Sequence, residues 1–383
     1  MKHSLVIVLF DHPWEHTSDY ATQTCIYLKL ENFVIGILLK DALSIKEIIV
    51  SLHSHWIWKK QENNFYLFKP IYIIPFRRFK LVENLNIIVN TMFLRVITKI
   101  ICVRKKIKKK YLWIFNPNQY KIFKLLRNGV YSIYDCVDFH GKENNNLNEY
   151  LLVRETNTVV TNSSILYKTL RKIRNDIYLA PLGFDLAEFS RTDLPNAISL
   201  PKNRPIIGYV GGINSRLDYA LLIELVKKSP LINFVFVGPI QIHNTITDFN
   251  KHTKPKIDIL RSQKNAYFYQ HVSKEIIPKI ICQFTVGMIP YDISQEFNLN
   301  CYPMKLFEYF YEKKPVIATP ILELKRFPEY VKLGKTSRQW ELLIKTLVSK
   351  NWSSNISRRQ FDIAKNNSWD TKFRYVLSLL PKE

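Results

Sequence analysis

Asn300-Cys-Tyr-Pro-Met-Lys-Leu-Phe-Glu-Tyr-Phe-Tyr-Glu-Lys-Lys-Pro-Val-Ile-Ala-Thr319 reads as a short helix that feeds a buried strand, with charge gathered at the helix start. Pro303 suits a first helical position, where the missing N–H has no intrahelical partner to lose. The free N–H groups of that first turn point toward whatever lies in front of it, a natural seat for an anionic group, and Lys305 adds a full positive charge. Leu306, Phe307, Phe310 and Tyr311 recur at helical spacing and bury one side, while Pro315 to Ala318 reads as a short core strand. Glu308 is then the odd residue, a carboxylate inside an otherwise apolar turn. A carboxylate there can accept hydrogen bonds from the two hydroxyls of a ribose; on an isolated amphipathic helix it would simply be solvated.

Upstream, Pro205-Ile-Ile-Gly-Tyr-Val-Gly-Gly-Ile-Asn-Ser-Arg216 is a hydrophobic strand ending in Gly211 and Gly212. Paired glycines let the backbone approach a pyrophosphate closely, and Arg216 can neutralise it. Asn233 to Pro239, Asn265 to Val272 and Phe284 to Tyr291 read as further core strands. In the first half, Leu5 to Phe10, Val34 to Leu39, Ile71 to Pro75, Tyr111 to Phe115, Ser132 to Tyr134 and Thr158 to Thr161 read likewise. Strands alternating with helical patterns in both halves predict an α/β protein with parallel sheets.

With 383 residues and 47% hydrophobic content, the chain can fill two cores. The five cysteines, Cys25, Cys102, Cys136, Cys282 and Cys301, show no Cys-x-x-Cys spacing, which argues against a zinc site and suits a reducing compartment. The apolar run in residues 1–10 is too short for a signal peptide, and no stretch looks long enough to cross a bilayer, so the protein is expected in the cytoplasm. Much of its formal charge of +24, from 56 basic and 32 acidic residues, concentrates in Met92 to Lys110, where an apolar helical pattern runs into six cations from Arg104 onward. Such a helix can lie on an anionic membrane surface, each cation near the headgroups contributing about 1 kcal/mol; it can also be a solvated helix end. No zinc-finger or RNA-recognition signature supports nucleic-acid binding.

Taken together, these segments resemble the nucleotide-sugar glycosyltransferases of GT-B architecture, particularly the large retaining family-four group, over nearly the whole chain. Trp113 to Pro117, Tyr134 to Asp138 and Val159 to Ser164 look like strand ends of that family's acceptor domain. Ala180-Pro-Leu-Gly-Phe-Asp185 with Phe189 is similar to its "Pro-x-Gly-x-Asp…Phe" passage, and Ala364 to Leu380 resembles the tail that crosses back onto the first domain. The resemblance implies two Rossmann-like domains facing across a cleft: residues 1–190, completed by a C-terminal helix at about 362–383, for the acceptor, and 191–361 for the donor. It implies metal-independent transfer of a sugar from a nucleoside diphosphate to an acceptor hydroxyl, with no cofactor beyond the donor substrate, in the synthesis of a bacterial surface polysaccharide or lipid-linked glycan. Gly211, Gly212, Arg216, Lys305 and the backbone around Tyr302, Pro303, Met304 and Leu306 would hold the diphosphate, Glu308 the ribose, and backbone near Val272 the base. His12, His16 and Asp19 in the loop after the first strand, with Asp135 at another strand end, are the candidates for contact with acceptor or sugar. Two departures stand out: Asn300 replaces the first of the family's two glutamates, and Gln270 and His271 stand where glycine is usual. A nucleotide-sugar epimerase and a non-catalytic GT-B protein recruited to membranes are the rival readings.

Overall fold

The computed structural model describes residues 2–12, 14, 20–50, 56–74, 79–140, 146–193, 198–242, 245–270, 272–349 and 352–381. The chain forms two compact units, Met1–Ala180 with Lys372–Glu383, and Pro181–Thr371. These boundaries fall at 180 and 371 rather than at 190 and about 362. The reason is aromatic packing, since Phe184 lies tilted and Phe189 edge-on against Tyr311 of the second unit, which in turn packs on Phe361.

The first unit contains β1 (Leu5–Phe10), β2 (Phe33–Leu38), β3 (Leu43–Ser44), β4 (Trp58–Glu62), β5 (Phe65–Phe68), β6 (Ile71–Tyr72), β7 (Lys110–Ile114), β8 (Tyr131–Cys136), β9 (Thr158–Thr161) and β10 (Ile177–Leu179). Eight of them make one sheet in the order β10-β9-β8-β7-β1-β2-β5-β4, and β3 pairs with β6 apart from it. Only β4 runs antiparallel within the large sheet. β1 is an unbroken apolar run buried along its whole length, as expected of a parallel strand covered on both faces. β4 carries Lys59 and Lys60 at the sheet edge, and its polar sequence hid it from hydrophobic patterning.

Asp135 lies on β8, with no exposed surface, and Lys372 from the C-terminal helix Trp369–Ser378 bonds it at 3.0 Å while Trp113 donates its indole N–H at 3.3 Å. Lys372 is itself fully buried. Phe373 beside it stacks on Tyr27 and meets the edge of Trp113. The Asp135 carboxylate, offered by the sequence for contact with acceptor or sugar, is enclosed in the core, where it fastens this helix to the central sheet.

The expected helix from Met92 to Lys110 is displaced. It runs from Lys80 to Arg104 and stops where Lys106 turns to a φ of 54°, and Lys110 already belongs to β7. Contrary to the sequence expectation, this helix is long and apolar enough, by length and composition alone, to cross a membrane. Its inner face carries the buried Asn86, Thr91, Leu94 and Thr98. Asn86 and Asn90 each bond both backbone groups of one residue opposite, Asn86 with Ile74 at 3.0 and 3.0 Å and Asn90 with Ile71 at 2.8 and 2.7 Å. These four bonds stitch the helix to β6 and the segment after it.

The second unit contains β11 (Ile206–Val210), β12 (Asn233–Val237), β13 (Ala266–Tyr269), β14 (Val286–Ile289), β15 (Val316–Ala318) and β16 (Val331–Leu333), all parallel in the order β13-β12-β11-β14-β15-β16. This is the doubly wound Rossmann order.

Lys372→Met should destabilise the first unit by about 3–5 kcal/mol, because it strands a buried carboxylate, and pairing it with Asp135→Asn should recover much of the loss. Chemical denaturation of the two variants checks this; a single-variant loss below about 1 kcal/mol contradicts the buried pair.

Candidate functional site

In a doubly wound sheet the ligand crevice lies beyond the carboxyl ends of the strands, where the strand order reverses. In the second unit that point lies between β11 and β14, so the residues following Val210 and Ile289 define it.

The helix Lys305–Tyr311 is fixed beside this point by Tyr309. Its ring is fully buried, and its hydroxyl accepts from the Val210 N–H at 3.2 Å and lies 3.2 Å from the Met288 carbonyl, to which it donates. One side chain therefore spans β11 and β14. The approach is possible because position 287 has no side chain: a Cβ there would come within 2.6 Å of the Tyr309 ring. The helix begins two residues later than expected, at Lys305, so Pro303 precedes it and is buried rather than occupying its first turn.

The Gly211 turn is held just as closely. Gly211 has a φ of 137° and its N–H donates to the Val237 carbonyl at 2.9 Å. Gly238, with a φ of 135°, lies so near that a Cβ on it would come within 2.3 Å of the Gly211 carbonyl oxygen. Two glycines in conformations that side chains resist thus place the turn against the end of the neighbouring strand. A Cβ on Gly211 would lie 3.3 Å from Cε and 3.4 Å from Nζ of Lys305, which brings turn and lysine into contact.

Two cations flank a single tyrosine at this point. The Lys305 ammonium donates to the Tyr291 hydroxyl and lies 4.9 Å from its ring centre, and the Arg216 guanidinium lies 4.4 Å from the same ring. Arg216 is held by Asn298, whose side-chain oxygen accepts from Nε at 2.8 Å while its amide donates to the Arg216 carbonyl at 3.1 Å. Burial acts against the Lys305 charge, and the neighbouring Tyr209 and Tyr291 hydroxyls outweigh it, leaving the lysine pKa above its ordinary value. No carboxylate pairs with Lys305 at ion-pair distance among the described residues. Two like charges this close repel each other, and a polyanion relieves the repulsion.

Glu308 stands one turn further along the helix, and its carboxylate accepts no hydrogen bond from the described residues. Burial pushes its pKa above the usual glutamate range, against the pull of Lys305 and then Lys274, with Asp185 adding to the rise. Lys274 bonds Asp185 at 3.1 Å nearby.

The structure therefore brings together Gly211, Arg216 and Lys305, with Glu308 adjacent. Gly212 is in the same turn, its carbonyl accepting from the Tyr209 hydroxyl at 3.0 Å. Leu306 is fully buried and Tyr302 packs on Phe307 and Phe327, so with Pro303 they hold the helix and leave only backbone groups for a ligand. Met304 is the residue before the helix, and Val272 lies beyond the end of β13. In the first unit His12 follows β1, its Nε2 3.7 Å from Asp11; His16 and Asp19 lie outside the described residues. Sequence reading missed Tyr209, Tyr291, Asn298 and Tyr309. The first two sit in or just after strands recognised by their apolar content, and Asn298 gave no signal because its bonding partner is 82 residues away.

No family profile matches the chain. It is 21% identical over 270 residues to the putative teichuronic acid biosynthesis glycosyltransferase TuaH of Bacillus subtilis, a match that spans 64% of this chain and 65% of that relative. Among solved structures it is similar to sucrose-phosphate synthase from Thermosynechococcus elongatus, at TM-score 0.73 and 13% identity over 98% of each chain. It is also similar to HepE of Anabaena in complex with UDP-glucose, at TM-score 0.65 and 13% identity over 99% of this chain and 100% of the other. The fold shared with these two structures is GT-B.

Gly287→Ala should destabilise the second unit by about 1–3 kcal/mol through the clash with Tyr309, and adding Tyr309→Leu should recover part of it. Denaturant titration decides, and a Gly287→Ala variant as stable as the parent contradicts this packing.

Proposed function

We propose that this chain, which has the GT-B fold of nucleotide-sugar glycosyltransferases, transfers a sugar from a nucleoside diphosphate to an acceptor hydroxyl. The observation that carries the reading is the Lys305–Arg216 pair beside the Gly211 turn, with Glu308, which accepts no hydrogen bond from the described residues, one helical turn away. Lys305 and Arg216 bind the diphosphate, the Gly211 and Gly212 backbone lets it approach, and Glu308 accepts from the ribose hydroxyls. During transfer the bond between the anomeric carbon and the diphosphate oxygen breaks, and negative charge grows on the leaving group. Fixed cations in a partly buried site stabilise that charge without reorganising. Met304 and Val272 contribute backbone contacts toward the diphosphate and the base, and His12 is the described first-unit residue offered to the acceptor.

The complex of HepE with UDP-glucose makes UDP-sugars the first donors to try, and the TuaH match makes a bacterial surface polysaccharide the first product class. Retention at the anomeric carbon is the outcome the family resemblance implies. The epimerase and non-catalytic readings are not favoured, since the similar proteins named above are transferases and synthases.

The same reading places the protein in the cytoplasm, peripherally on the inner face of an anionic membrane. The helix Lys80–Arg104 exposes Met92, Phe93, Val96, Ile100 and Val103 along one face. The cations Arg104 to Lys110 follow immediately, giving the apolar and electrostatic components that interfacial binding combines.

UDP at 100 times its Kd should stabilise the protein by about 2.7 kcal/mol, read as a thermal shift. Glu308→Gln should lose most of that shift; an unchanged shift removes Glu308 from the site. Because the carboxylate must be ionised to accept the ribose hydroxyls, UDP affinity should fall with decreasing pH at values above the ordinary glutamate pKa of about 4.3, a fall that Glu308→Gln should abolish. Val96→Glu with Ile100→Glu should reduce co-sedimentation with phosphatidylserine-containing vesicles at least fivefold, and equal sedimentation would reject the membrane face.

A further inference from the structure

Arg216 is held at both ends by one side chain. The carboxamide of Asn298, which has no exposed surface, accepts from Arg216 Nε at 2.8 Å and donates to the Arg216 carbonyl at 3.1 Å. It also donates to the Asp292 carbonyl at 3.0 Å, so both amide hydrogens and the oxygen are used, and two of the three bonds go to Arg216. The backbone of the arginine is tied as firmly. Its N–H donates to Asn214 Oδ1 at 3.0 Å, and its carbonyl also accepts from the Asp292 N–H at 2.8 Å.

The short helix Glu296–Asn300 that carries Asn298 also sets the Phe297 ring 4.8 Å from the guanidinium, while the Tyr291 ring lies at 4.4 Å. Asn300, two residues on, takes no part: its amide donates to the Glu296 carbonyl of its own helix at 2.8 Å. A guanidinium can meet a phosphate in bidentate fashion through the edge that includes Nε or through the edge formed by its two terminal nitrogens. Asn298 takes Nε, which assigns the terminal edge to an anionic ligand. An unrestrained arginine must be ordered when it binds, whereas a clamped one has given up that freedom on folding. The clamp is also neutral. A carboxylate at position 298 would orient the fork but offset its charge and repel an anion; a carboxamide fixes direction and leaves the charge in place.

We propose that Asn298 is the positioning residue for the diphosphate, acting through Arg216: it presets the terminal edge of the guanidinium for the phosphates without drawing on its charge. This role rests on the donor reading above and adds to it the residue that sets the geometry of phosphate recognition.

The test is calorimetric titration of the whole protein with UDP and with uridine, which carries no phosphate. Asn298→Ala should weaken UDP at least tenfold and uridine less than twofold. In an Arg216→Ala background the same substitution should change UDP affinity less than twofold, because the residue through which it acts is gone. Asn298→Asp should weaken UDP at least as much as Asn298→Ala. Arg216→Lys keeps the charge but has no Nε–H for Asn298 to hold, so its UDP affinity should stay within threefold of that of Arg216→Ala; this variant decides the matter if Asn298→Ala does not fold. UDP and uridine weakened alike by Asn298→Ala, an equal loss with and without Arg216, or UDP bound by Arg216→Lys as by the parent each overturns the role. A parent that binds UDP and tolerates Asn298→Ala removes the role alone, whereas a parent that binds no nucleoside diphosphate removes the donor reading and the role with it.

Discussion

The contact on which the second unit depends is the seating of the Tyr309 ring over Gly287, with its hydroxyl tied to the backbone of two neighbouring strands. A helix of seven residues has little stability of its own, since nucleation is costly and short helices rely on tertiary packing. Leu306, Phe307 and Phe310 supply apolar burial, but burial is non-directional and would tolerate a small slide or rotation. The hydroxyl does not. Its bonds to Val210 and Met288 fix the height of the helix relative to the strand ends, and so the reach of Lys305 toward Gly211 and of Glu308 beyond it. Burial holds the Tyr309 phenol far above its ordinary pKa, so it remains a neutral donor and acceptor at any pH the protein meets.

Buried polar groups do the corresponding work in the first unit. The Asp135–Lys372 pair is weak evidence for net stability, because desolvating two charges roughly offsets their attraction. Its effect is on uniqueness: an apolar helix could dock on the sheet in several registers, whereas only one puts the Lys372 ammonium on the Asp135 carboxylate. Asn86 and Asn90 act similarly on the long helix. Each satisfies both backbone groups of one residue, Asn90 on β6 and Asn86 just after it, as a neighbouring strand would. In both places the apolar contacts bring elements together and the polar contacts choose the register.

What the sequence revealed follows from the range of the interactions involved. Strands such as Leu5–Phe10 and Thr158–Thr161 were legible to the residue, because a parallel strand buried on both faces needs a continuous apolar run and little else has that composition. Trp58–Glu62 was not, since an edge strand shows no such run, and Ile177–Leu179 and Val331–Leu333 were too short to register. The cations of the candidate site and Glu308 could be named in advance because charge inside an apolar segment stands out locally. Tyr291, Asn298 and Tyr309 act across 14 to 101 residues of sequence, and no local pattern encodes such a partner. The partner of Asp135 was hidden for the same reason. A carboxylate at a strand end looks the same in sequence whether it faces solvent or a lysine 237 residues away.

The long helix shows how composition and placement can point in different directions. By length and apolarity alone it could span a bilayer. Spanning would require it to leave the first unit, giving up four asparagine-to-backbone bonds and exposing Asn86, Asn90, Thr91 and Thr98 to hydrocarbon, where each unsatisfied polar group costs several kcal/mol. Lying in the interface requires neither. In the membrane contact proposed above the inner face would keep its bonds and the outer face would bury Phe93, Val96 and Ile100, while the turn at Lys106 keeps the remaining cations from continuing along the axis. A spanning helix ending in six cations would place them beyond the headgroups; a helix lying flat keeps them level with the phosphates, within the Debye length of about 8 Å over which they act. The asparagine stitching and the position of the turn both favour the flat arrangement.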